Sequence, residues 1–124
     1  PEVDPNTARD VHAESLVRTW DAGYDVICRH APQIALIAAP NGYWGAPDAA
    51  IAASYLELLA NAHKVGCCWG GYVRFALGHP TAHEVRAFVG VQEHEQVYAA
   101  QMMGFPKFAP HFRPPRKALD VTWL

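Results

Sequence analysis

The stretch VGCCWGGYVRFALG, Val65 to Gly78, sets two adjacent cysteines, a tryptophan and a glycine pair ahead of a run of helical character. Three chemistries compete for it: a metal site, a redox dithiol, and a turn where backbone approaches something flat. The cysteine spacing argues against the first two. Zinc ligation and dithiol exchange favour C-x-x-C, whereas adjacent cysteines point in different directions. Cys28 stands alone, and the His79/His83 pair straddles Pro80. The cysteine run of an iron–sulfur site is absent. No metal site is therefore expected, and all three cysteines read as small buried hydrophobes. The glycine pair remains. Without Cβ atoms, Gly70 and Gly71 let backbone N–H groups touch a ligand at close range. A helix starting there would add a favourable dipole for electron-rich atoms. A tight turn with no ligand fits the same residues equally well.

Outward from this motif, Tyr72 to Leu77 reads as a short helix ending at Gly78, and His83 to Val89 as one or two further helical turns. Upstream, Pro47 to Lys64 predicts the longest helix. Its polar residues Ser54, Glu57, Asn61 and Lys64 form one narrow stripe on an apolar cylinder. Such a helix is expected to be buried on most sides, in a core or a subunit interface, with Gly66 as its C-terminal stop. QIALIAA, Gln33 to Ala39, is short, apolar on both faces and bounded by prolines, which predicts a buried strand. Asp4-Pro5 and the spacing of Ala13, Leu16, Val17 and Trp20 predict a helix from about Pro5 to Trp20. Downstream, Gln96 to Phe105 is a second strand candidate. PKFAPHFRPPRKAL reads as an extended arm, since its four prolines suit neither helix nor central sheet. DVTWL, Asp120 to Leu124, reads as an edge strand.

The bulk composition is that of a packed domain. Of 124 residues, 51% are hydrophobic and 18% charged, and the net charge is −2. That excludes a disordered tail and leaves no basic field for nucleic acid. No apolar run approaches the roughly 20 residues of a membrane span. Three cysteines do not make a secreted disulfide framework, so the expected location is the cytoplasm. The N-terminal PEVDPNTARD has no initiator methionine and does not resemble a processed leader, so we expect residues 1–124 to be a single, partial domain of a longer protein.

Side-chain chemistry is sparse. G-x-S-x-G, P-loop and G-x-G-x-x-G patterns are absent, and the two serines fall on predicted helices. No catalytic side chain is assigned. Arg113, Arg116 and Lys117 cluster on the proline-rich arm. Such a cluster can grip a phosphate. The residues alone favour a solvated arm or a polyproline ligand.

Taken in order, GYDVICRHAP and its following strand, the alanine-rich helix, VGCCWGGY, VYAAQMMGFPK and the closing PPRKALDVTW resemble the C-terminal part of nitroreductase-like, FMN-dependent flavoproteins. The resemblance runs from about Trp20 to Leu124. It implies an α+β fold, a mixed, mainly antiparallel sheet packed by helices, in an intertwined homodimer with FMN at the interface. It implies hydride transfer from a reduced nicotinamide cofactor, through FMN, to a nitroaromatic, quinone or similar acceptor. The ending resembles a branch sometimes fused to a ferredoxin-type module.

By that resemblance, Gly70 and Gly71 approach the N5/O4 edge of the flavin, and Cys68 and Trp69 pack near the ring. Arg116 binds the phosphate, with Arg113 or Lys117 as helper, because the family's frequent lysine position is Pro114 here. The family's N-terminal phosphate-binding segment has no counterpart, so the chain is expected to be the second half of the domain. The alternative is a non-enzymatic truncated or degenerate domain that dimerises or binds a partner without flavin.

Overall fold

The structure, a computed structural model, describes residues 12–108, 111 and 115–123. Three antiparallel strands form the sheet: β1 (Gln33–Pro40), β2 (Gly66–Trp69) and β3 (Glu95–Gly104), in the order β1-β3-β2. The helices are α1 (Ala13–Asp21), α2 (Gly45–Ala62), α3 (Gly71–Leu77) and α4 (His83–Phe88).

β3 is the spine. It is paired on both sides, and its Val97, Ala99, Ala100 and Gln101 are fully buried. β1, expected as a buried strand, is an edge strand and only half-buried. A register shift lies between Ile37 and Ala38, opposite Tyr98. β2 was not legible beforehand. GCCW is too short to show alternation and becomes a strand by pairing with the Gln101–Gly104 end of β3.

α2 lies across all three strands. Its sheet-facing residues are small, Gly45, Ala49, Ala53 and Ala60, so the helix approaches closely. Gly45 has no alternative. A Cβ there would sit 2.6 Å from the Pro40 carbonyl oxygen and 2.9 Å from the Tyr98 ring. The helix starts two residues before the expected Pro47 and ends before Lys64. Its stop is Lys64 rather than Gly66. Lys64 takes a left-handed φ of 60°. The Lys64 N–H donates to the Asn61 carbonyl (3.0 Å) and the Val65 N–H to the Ala60 carbonyl (2.8 Å), closing a Schellman motif. Gly66 is thereby released to begin β2.

Two terminal expectations change. The helix expected from about Pro5 to Trp20 falls partly outside the described residues; within them α1 runs Ala13–Asp21, and His12 before it takes a left-handed φ of 53°. Asp120–Trp123 form no strand; they are exposed and pair with neither sheet edge.

Candidate functional site

The site forms where β2 hands over to α3. The Gly70 N–H donates to the Ala100 carbonyl at 2.8 Å, one step beyond the β2–β3 ladder. The Gly70 carbonyl accepts from the Arg74 N–H at 3.0 Å and so starts α3. The Arg74 guanidinium in turn donates to the Tyr98 carbonyl at 2.9 Å, locking α3 to β3. Gly70 is therefore a structural joint, and its backbone N–H is not available to a ligand. Gly71 differs. Its N–H has no backbone partner among the described residues, and a Cβ built on it meets nothing within 4 Å.

The space beside Gly71 is a cleft of about 420 Å³. The turn contributes Cys68, Trp69, Gly70 and Gly71; α3 adds Tyr72 and Phe75, and β3 adds Met102. The remaining wall, Val26, Ile27 and Arg29, comes from the loop before β1. That loop is organised by one carboxylate. Asp25 Oδ1 accepts from the Cys28 N–H (2.8 Å) and the Ile27 N–H (3.1 Å), and Oδ2 accepts from the His30 N–H (2.9 Å). Arg29 and His30 follow with left-handed φ values of 52° and 55°. The His30 and Cys28 N–H groups hold the Asp25 carboxyl below its ordinary range.

The cleft unites four of the expected residues, Cys68, Trp69, Gly70 and Gly71. The cationic arm does not join them. Arg116 and Lys117 are exposed and absent from the cleft's described lining, and Arg113 lies outside the described residues. Arg29 was missed. Its position follows from the Asp25-centred turn, which leaves no periodic mark in the sequence.

The cysteines are unpaired thiols, but not the buried ones expected: Cys28 and Cys67 are half-buried and Cys68 is exposed at the cleft. Burial, and then the Asp25 carboxylate, pushes the Cys28 thiol up; burial, and then Glu57, does the same for Cys67. Both changes oppose thiolate chemistry. Among the described residues no three His, Cys, Asp or Glu side chains converge as metal ligands. His79 instead bonds locally to the Thr81 hydroxyl at 2.8 Å.

The antiparallel α+β core, with a glycine turn opening on an apolar cleft, is a nitroreductase-like fold. The chain belongs to the nitroreductase family, whose model matches residues 2–105. Among solved structures it is similar to an FMN-bound nitroreductase from Bacteroides fragilis NCTC 9343, with TM-score 0.68 and 21% identity. That match covers 86% of this chain and 60% of the other. It is also similar to oxidized iodotyrosine deiodinase bound to FMN and 3-iodo-L-tyrosine, with TM-score 0.57 and 19% identity over 77% of this chain and 48% of the other. The chain thus spans less than two thirds of either neighbour. No curated protein matches it.

Proposed function

We propose that the chain is the cleft-forming part of an FMN-dependent oxidoreductase that takes hydride from a reduced nicotinamide cofactor and delivers it to a nitroaromatic, quinone or similar acceptor. The observation that carries this reading is Gly71: a backbone N–H without a described partner, at a position open to a cleft with aromatic walls. A flat heterocycle with a hydrogen-bond-accepting edge fits that combination, because a residue other than glycine would place a Cβ in the cleft. The FMN-bound structural neighbours share the fold.

When bound, FMN supplies reversible two-electron chemistry. The chain's residues supply its surroundings. The Gly71 N–H would donate to the ring edge where negative charge develops on reduction. Trp69, Tyr72 and Phe75 offer apolar surface that excludes water. Gly70, fixed to Ala100, keeps the turn from shifting. Arg116, with Arg113 and Lys117, is the proposed phosphate grip, which requires the arm to be brought to the cleft.

The protein is proposed to act as a cytoplasmic homodimer. α2 presents Ile51, Tyr55, Leu58 and Leu59, one helical stripe, to solvent. The same stripe favours the second reading, a flavin-free dimerisation or partner-binding module. Among the described residues no helix is long and apolar enough to cross a membrane.

Flavin absorbance of the purified protein after FMN addition, and nicotinamide oxidation with a nitroaromatic acceptor, separate the two. A yellow, turning-over protein supports the enzyme. A longer protein containing residues 1–124 that retains no flavin once excess FMN has been added and the free FMN removed contradicts it.

A further inference from the structure

Arg29 is the single charged residue in the described lining of the cleft. The rest of that lining is apolar, aromatic, cysteine or glycine. Asp25, the acid on the same loop, directs both carboxylate oxygens at backbone N–H groups of Ile27, Cys28 and His30. Those bonds fix the loop that carries Arg29 to the cleft. An apolar cleft with one exposed guanidinium, carried on a loop whose backbone is held by Asp25, suits an aromatic ring bearing one monoanionic group, because guanidinium pairs with carboxylate through two parallel hydrogen bonds. A phosphate carries close to two charges and is commonly held by several donors. One guanidinium matches a carboxylate better.

We propose that Arg29 is a specificity residue for the acceptor, selecting aromatic substrates that carry a carboxylate over neutral ones of the same shape. The assignment of that ligand as acceptor rests on the flavin reading above; the binding preference itself does not require flavin.

The test compares para-nitrobenzoate with para-nitrobenzamide, which share ring and nitro group and differ in charge. Binding is followed by NMR through the Gly71 amide and Trp69 indole signals, with and without excess FMN. The carboxylate should bind about tenfold more tightly, the scale of one charge-assisted contact in a partly exposed site. In Arg29→Gln the preference should fall below about twofold with amide affinity unchanged, and Arg29→Lys should keep part of it. An unaltered amide spectrum outside the loop confirms that each variant is folded.

Equal affinities in the wild type, or an undiminished preference in Arg29→Gln, would overturn the proposal. So would an Arg29→Gln variant that loses FMN relative to riboflavin while still preferring the carboxylate, which would make Arg29 a phosphate contact. An Arg29-dependent preference in a longer protein containing residues 1–124 that never takes up FMN would support selection by Arg29 and remove the flavin reading. FMN uptake without any preference would do the reverse.

Discussion

Gly70 and Gly71 are neighbours with different jobs. The sequence marks both as a turn because neither has a side chain. Only the structure separates them, since the Gly70 N–H is committed to Ala100, thirty positions along the chain and visible only through the β2–β3 pairing. Gly45 gave no such signal, yet it is the most constrained. Gly45→Ala should destabilise the protein by about 1–3 kcal/mol through overpacking against Pro40 and Tyr98, read as a lower urea midpoint. An unchanged midpoint would mean that α2 does not approach the sheet this closely. Asp25 can be tested by pH. Its lowered folded-state value means that the loop's carboxylate bonds contribute fully above the ordinary aspartate range and are lost as pH falls through the lowered value. Asp25→Asn keeps an oxygen for Cys28 and Ile27 but presents N–H₂ to the His30 N–H. Faster amide exchange at His30 is expected in that variant; unchanged protection would show that the carboxylate does not organise the loop.

At the scale of elements, long patterned segments were legible and short ones were not. β1, β3 and α2 lie within a few residues of their expected positions, because each is long enough to show its apolar pattern. β2 and the absent C-terminal strand depend on which partner edge is available, which local sequence does not record. α2 was expected to be buried on most sides. Within the chain, only its small residues are buried, and the stripe Ile51, Tyr55, Leu58 and Leu59 remains exposed. Covering each such side chain contributes about 1.5–3 kcal/mol. Leu58→Glu should therefore weaken self-association at least tenfold in sedimentation equilibrium while leaving helix content unchanged. A wild type that sediments as a monomer at micromolar concentration would rule out the interface.

At the scale of the molecule, the α+β class and the family were legible from the order of landmarks, and the family match over residues 2–105 agrees. The phosphate grip expected of Arg116, Arg113 and Lys117 remains a proposal: Arg116 and Lys117 lie on an exposed segment without helix or strand, and Arg113 lies outside the described residues. The described core is thin: Leu77 and Val97 are its only apolar side chains larger than alanine. The cleft is correspondingly open, with one glycine N–H and one guanidinium as its distinctive polar features. Binding must offset several kcal/mol of lost ligand freedom, while each charged contact contributes about 1.5–3 kcal/mol. Residues 1–124 alone should accordingly bind FMN weakly or not at all, and a longer protein containing them should bind it tightly and lose affinity on Arg116→Ala. Submicromolar binding by the 124-residue chain would show that its cleft is sufficient.

The flavin assignment stands or falls on Gly71, and one FMN titration of a longer protein containing residues 1–124, wild type beside Gly71→Val, tests it. Wild type should saturate with the absorbance of bound flavin. Gly71→Val should show only the spectrum of free FMN while keeping the wild-type circular dichroism and urea midpoint, because its side chain would enter open cleft rather than packed core. A folded Gly71→Val protein that takes up FMN as well as wild type would contradict the assignment.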